Sequence, residues 1–237
     1  GDHFVITGQK AAWVSNGSIA DIAVLFCTLE PERGFRGGCV ILVPLDLPGV
    51  DRPRPLDKIG QRSLNQGQIF FSEVRVPASH LVIGPDVYPF ALEGMLCHGN
   101  AGMSQLFIGV ARAALDHALD YAQERVQGGV PIGRHQSVRQ RLFRMFMKVE
   151  AARALARRTA LYLATNPPSL QHAIAAKVFS TSTAFEVASE ALQIFGGNGL
   201  TREYPVEKLL RDARASMIED GCNEMLGLVA GARLQGF

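Results

Sequence analysis

Two stretches hold the residues whose types and spacing can do chemistry. Gly196-Gly-Asn-Gly199 brings three glycines together. Without a Cβ, such a run closes a helix through left-handed backbone, and it leaves bare N–H groups that a ligand can approach. Helix termination is the first expectation for it. Further on, Asp220 stands directly before Gly221. A carboxylate at such a turn is either a solvated turn residue or a general base. Trp13, the single tryptophan, lies in Gly8-Gln-Lys-Ala-Ala-Trp-Val-Ser-Asn-Gly17. Beside a strand, a core position is its first expectation. Cys27, Cys39, Cys97 and Cys222 show no metal-ligand spacing. Arg134, Arg139, Arg141 and Arg144 recur at helical spacing, as a solvated face does.

The elements that must position these groups fall into two halves. From residue 1 to about 84 the pattern is strand-like. Phe4 and Ile6 alternate into Thr7-Gly8-Gln9-Lys10, which reads as a turn. Val24, Phe26 and Thr28 alternate, Val40 to Val43 is an apolar run, and Ile69 to Val76 is a strand closed by Pro77. From about Pro89 the period becomes helical. Leu106, Val110, Ala113, His117 and Tyr121 mark a first helix, ended by Gly128-Gly129 and Pro131. A second covers Val138 to about Leu163, and Asn166-Pro-Pro-Ser169 interrupts. A third follows, in which Leu170, Ile174, Val178, Thr181, Phe185, Ala188 and Leu192 share one face up to Phe195. The fourth covers Pro205 to about Met217, and Gly221 to Leu234 adds a last one. The expected class is α+β: a small β-barrel or sandwich-like domain (residues 1–86), then an antiparallel four-helix bundle domain (87–237).

Composition bounds the function. The chain has 237 residues, 47% hydrophobic, and a net charge of +2. That is enough apolar content for a sizeable core and no footprint for nucleic acid. No apolar run reaches the length of a membrane helix. Reduced thiols and the lack of a signal segment predict a cytoplasmic protein, with no membrane and no metal. The chain opens as if inside a hairpin, so residues upstream of Gly1 are expected.

The run from Gln193 to Ala213, with Met217-Ile-Glu-Asp-Gly-Cys-Asn-Glu224 after it, resembles the C-terminal part of the acyl-CoA dehydrogenase family of flavoenzymes, which carries "QIFGGNG…EYPVEKL.RDA…I.EG". The segment around Trp13 resembles the family's "I.G.K.WITNG". Leu56 to Ser63 with Phe71 to Pro77 resembles "K.G.R" and "I.F.DV.VP". Glu124-Arg125, Gly129 and His135-Gln136 resemble "ER..FG……HQ". Nearly the whole chain is covered. The family's N-terminal helical domain has no counterpart in it.

The resemblance implies FAD as cofactor and α,β-dehydrogenation of an acyl thioester, as in fatty acid metabolism. It implies that Trp13 packs on the flavin ring and that the Ser15 hydroxyl stands where the family bonds flavin N5. Arg125, whose planar fork suits a pyrophosphate, would reach the flavin diphosphate, often that of a neighbouring subunit. Gln136 falls in the "HQ" of that motif, and Gln193, Gly196 and Gly197 match positions near the adenosine end. Arg211-Asp-Ala-Arg214 sets the register that puts Asp220 at the catalytic base position, usually glutamate. Its carboxylate sits about 1.5 Å further back, one C–C bond. Gly221 matches the family glycine on the substrate side, and Cys222 replaces a threonine that touches the flavin. The alternative base position is Gly99, which has no carboxylate. Asn100 stands where an arginine often holds the CoA end, and Cys97 replaces an acidic residue.

The partners implied are acyl-CoA or another acyl thioester, further copies of the chain in a dimer or homotetramer with flavin at the subunit interface, and an electron-transferring flavoprotein. A nitroalkane oxidase-like flavoprotein is the second enzyme reading, since that branch also uses an aspartate. Asn223 to Val229 lacks the arginine it would need. A non-catalytic partner subunit of a mixed oligomer is the third.

Overall fold

The structure, a computed structural model, describes residues 1–234. Two compact units divide it: Gly1–Glu93, and a second from Gly94 onward.

The first unit is built from two three-stranded antiparallel sheets. One orders β1 (His3–Ser15), β5 (Gln66–Pro77) and β4 (Val50–Asp51). The other orders β2 (Ile22–Thr28), β3 (Gly38–Pro44) and β6 (Leu81–Ile83). Leu25, Ile41, Val43, Ile69, Phe71, Val74 and Val76 from both sheets share one buried cluster. This is the sandwich expected from alternating apolar residues. At the end of the β2–β3 pair, Cys27 and Cys39 face each other as free thiols, Sγ to Sγ 3.4 Å. Burial pushes the Cys39 thiol up to about 12, so it stays protonated.

Thr7-Gly8-Gln9-Lys10 is not a turn. β1 runs on through it, and the ladder shifts register instead: Ile6 pairs with Val74, but Gly8 pairs with Phe71. Two residues of β5 thus face one of β1. Glu73, at φ 51°, absorbs the extra length and donates its N–H to the Thr7 hydroxyl. The glycine signal marks a β-bulge, which sequence alone does not separate from a turn.

The second unit is helical. It is formed by α1 (Tyr88–Glu124, which begins before the unit boundary), α2 (Gln136–Thr165), α3 (Leu170–Phe195), α4 (Val206–Ser216) and α5 (Asn223–Leu234). Ala111, Ala114 and Ala118 of α1 pack with Met145 and Val149 of α2, Val187, Ala188 and Ala191 of α3, and Val206 and Ala213 of α4. The ion pairs Arg141–Glu190 and Lys148–Glu186 run in opposite sequence directions, so α2 and α3 are antiparallel. Cys97 clusters with Leu170 and Ile174, and Tyr121 stacks on Phe195, so α1 and α3 run parallel.

Helix boundaries follow the expected punctuation, with one addition. α1 stops at Glu124, short of Gly128-Gly129. Those glycines, at φ 66° and 79°, instead turn a short hairpin of β7 (Val126–Gln127) and β8 (Val130–Pro131). Among the described residues, no helix is long and apolar enough to cross a membrane, and no three metal-ligating side chains cluster.

Candidate active site

In the β unit, Trp13 is 60% exposed, so the core expectation for it fails. The ladder explains this. Between Lys10–Ile69 and Val14–Gly67, β1 carries three residues against one of β5. A bulge of that kind re-aims side chains. Val14 packs on the apolar cluster, so Trp13 and Ser15 on either side of it face outward together. Ser15 is held from behind. Buried Gln66 donates Nε2 to its Oγ at 3.5 Å, and buried Lys58 donates to Gln66 Oε1 at 2.6 Å and to the Leu64 carbonyl at 2.8 Å. Sequence reading left Lys58 and Gln66 out of the site. The one available signal was the lysine of the "K.G.R" match.

In the helical unit the candidate residues gather at two ends. At the first, α3 stops where Gly196 takes φ 60° and returns its N–H to the Gln193 carbonyl. Phe195, just before it, stacks on Tyr121 with ring centroids 4.0 Å apart, and Asn198 Nδ2 donates to the Tyr121 hydroxyl at 3.0 Å. Arg125 follows Tyr121 by one turn, its N–H bonded to the Tyr121 carbonyl and its own carbonyl accepting from Ile132. Its side chain is exposed and makes no ion pair among the described residues. Gln136 opens α2 at the same end, exposed, where the His135 side chain does not cap the helix. Arg125, Gln136, Gln193, Gly196 and Gly197 therefore surround one end of the bundle.

The glycines there are of different kinds. A Cβ at Gly199 would lie 2.6 Å from the Leu192 carbonyl oxygen, so packing demands glycine. A Cβ at Gly197 would meet nothing within 4 Å, and Gly197 has no positive φ. Neither packing nor backbone geometry calls for glycine there. An open face that a Cβ would intrude on is what a diphosphate needs for close approach to backbone N–H groups. Gly199→Ala is accordingly expected to lower stability by about 1–3 kcal/mol. Gly197→Ala should leave the melting temperature unchanged and weaken flavin binding. Thermal unfolding and flavin titration of the two variants check the contrast.

At the second end, Asp220 and Gly221 take consecutive left-handed conformations, φ 50° and 93°, between α4 and α5. Both are exposed, and Cys222 is half-buried. The turn closes where Asn223 N–H meets the Met217 carbonyl at 2.9 Å. Beneath it lies Lys177 of α3, fully buried, donating Nζ to the Gly221 carbonyl at 2.8 Å and to Asn223 Oδ1 at 2.9 Å. Burial pulls the Lys177 ammonium below its ordinary range; Asp220, Glu219, Cys222 and Glu224 push back. Lys177 lies in none of the short motifs that the sequence offers. Asn100 belongs to this end as well, one turn after Cys97. It is 1% exposed: Nδ2 bonds the Leu96 carbonyl, and Oδ1 is buried without a partner among the described residues.

The two ends do not coincide. Lys177 and Phe195 are separated by about five turns of α3, about 27 Å. A single copy of the helical unit thus presents an acidic turn and a glycine-and-arginine end far apart.

A family model described as acyl-CoA dehydrogenase, C-terminal domain, matches residues 90–235, and one for the middle domain of the same family matches residues 1–74. "Probable acyl-CoA dehydrogenase YngJ" of Bacillus subtilis is 36% identical over 99% of the chain, which covers 62% of that protein. Cyclohex-1-ene-1-carbonyl-CoA dehydrogenase of Syntrophus aciditrophicus is 34% identical over 99% of the chain, covering 56% of it. The solved butyryl-CoA dehydrogenase of Megasphaera elsdenii superposes with a TM-score of 0.92 at 33% identity, over 98% of this chain and 61% of its own. The chain thus spans about three fifths of the length of these relatives.

Proposed function

This chain belongs to the acyl-CoA dehydrogenase family, and from that premise we propose that it oxidises an acyl thioester across its Cα–Cβ bond, with Asp220 as the base. The observation that carries the reading is the Asp220 turn. An exposed carboxylate sits on a two-residue left-handed turn that is tied down from below, and the motif resemblance puts the family's base at this position. Asp220 takes the α-proton and holds it. FAD, when bound, supplies the two-electron acceptor for the β-hydride. The products are the 2-enoyl thioester and reduced flavin, so one proton and one hydride leave the substrate together.

The chain's own residues have separable tasks. Trp13 offers an exposed indole face to a flat ring, and Ser15, fixed by Gln66 and Lys58, offers a hydroxyl beside it. Arg125, Gln136, Gln193, Gly196 and Gly197 hold the diphosphate and adenosine portion. Gly221 lies on the substrate side and Cys222 on the flavin side, while Asn100, at the position the resemblance assigns to the CoA end, is 1% exposed. The separation of about 27 Å along α3 supports a division of labour between copies. The glycine end of one protomer would hold the diphosphate of a flavin, and the acidic turn of another would present Asp220 to the thioester. A homo-oligomer, a homotetramer as in the family, is part of the proposal. So is an electron-transferring flavoprotein as the acceptor that reoxidises the flavin.

Spectra of the purified protein test this. Bound flavin at one per chain, bleached anaerobically by a member of an acyl-CoA panel, is the expected result. Oxygen uptake with nitroethane and no bleaching by thioesters would point to nitroalkane oxidation instead. A flavin-free chain would leave the partner-subunit reading.

A further inference from the structure

Lys177 is a costly residue for its place. Its whole side chain is buried within α3, where an unpaired ammonium would be strongly disfavoured and a methionine would pack. Its two acceptors both belong to the chain just after Asp220: the Gly221 carbonyl and the Asn223 carboxamide oxygen. The Asn223 amide group in turn donates to Thr181 Oγ1 at 3.0 Å and approaches Ser182 Oγ at 3.4 Å. Thr181 Oγ1 donates back to the Lys177 carbonyl at 2.9 Å. One face of α3 therefore grips the turn at two points through one closed set of hydrogen bonds. α5 has a second, apolar anchor besides this linkage: Leu226 packs with Cys97, Leu170, Ala173 and Ile174. What the lysine adds is the conformation of residues 220–223. Left-handed backbone costs an aspartate less than most residues with a Cβ, but it is still sparsely populated, and contacts that hold the turn favour it.

We propose that Lys177 is a positioning residue for the Asp220 carboxylate, fixing the turn that presents it through the Gly221 carbonyl and Asn223. The proposal rests on the reading of Asp220 as the base.

Hydrogen exchange of the full chain, followed by mass spectrometry, and the rate of thioester-driven flavin reduction test it together. Lys177→Met keeps the volume and removes the donor. It should speed exchange across residues 217–224 by at least about tenfold relative to residues 184–195 of α3, as loss of a local restraint does. It should slow flavin reduction by about 10- to 100-fold, as expected for a base displaced by up to about 1 Å. Half-saturating thioester should change less than about twofold. Asn223→Ala releases the same turn from its other side and serves if Lys177→Met fails to fold. The double variant should be little worse than the worse single one, since both cut one linkage. Unchanged exchange in the turn overturns the proposal, whatever the activity. Faster turn exchange with wild-type reduction also overturns it, provided Asp220→Asn is inactive. If Asp220→Asn reduces flavin like wild type, the base assignment has failed instead. That case is recognised because the turn still loosens in Lys177→Met.

Discussion

Asp220→Asn is expected to slow thioester-driven flavin bleaching by about 10²- to 10⁴-fold, the usual contribution of a positioned general base, while the protein keeps its flavin and its melting temperature. The substitution is nearly isosteric. Asn accepts left-handed backbone readily, so the φ of 50° at this position is retained. The side chain is exposed, so no buried partner is orphaned. What is lost is the basicity, together with one of the negative charges that offset the burial of the Lys177 ammonium. Anaerobic rapid mixing with the best thioester of the panel, read at the flavin band, measures it. Bleaching at the wild-type rate would remove Asp220 from the mechanism. Asp220→Glu is the companion variant. It advances the carboxylate by about 1.5 Å, but on a residue type less tolerant of the left-handed turn, so its rate separates reach from backbone fit.

Trp13→Ala should leave stability within about 0.5 kcal/mol of wild type, as for an exposed side chain outside the core. It should nevertheless weaken flavin binding by about 5- to 150-fold. That range corresponds to the about 1–3 kcal/mol measured when an aromatic platform under a stacked ring is removed. The single tryptophan makes the wild-type experiment direct, because quenching of its fluorescence on flavin addition reports stacking at that residue alone. Unchanged affinity, or flavin that binds without quenching Trp13, would reduce the indole to an exposed surface group.

The two variants act on different units and different groups, so their outcomes are independent. An inactive Asp220→Asn with normal flavin affinity and a weak-binding Trp13→Ala would together locate proton removal and ring binding. If only Trp13→Ala behaves as expected, the chain is a flavin-binding member of the family whose base lies elsewhere. That would also bear on Asn100, whose buried, unpartnered Oδ1 already argues against simple access of substrate to that side chain in the conformation described.

Much of the architecture was legible in the residues, because it depends on local pattern. Apolar spacing alone marks α2, α3 and α4 nearly to their ends. Gly196 stops α3 because it adopts φ 60° at low cost, and Asn166-Pro-Pro separates α2 from α3. The family strings around Trp13, Arg125, Gln193 and Asp220 name the candidate site for the same reason: each is a short contiguous motif. Only the tertiary structure could decide the rest. Thr7 to Lys10 reads as a turn in sequence and becomes a bulge because β5 continues to pair with it. Ser15 gains its support from Gln66, 51 residues away, and the Asp220 turn from Lys177, 44 residues before Gly221. The distance between the acidic turn and the glycine end follows from how far α3 runs before it stops. Periodicity reports which face of an element is apolar. Which polar groups meet beneath that face depends on how elements distant in sequence dock, and burial then makes those meetings obligatory, because an unpaired polar group in the interior costs more than the chain can spare.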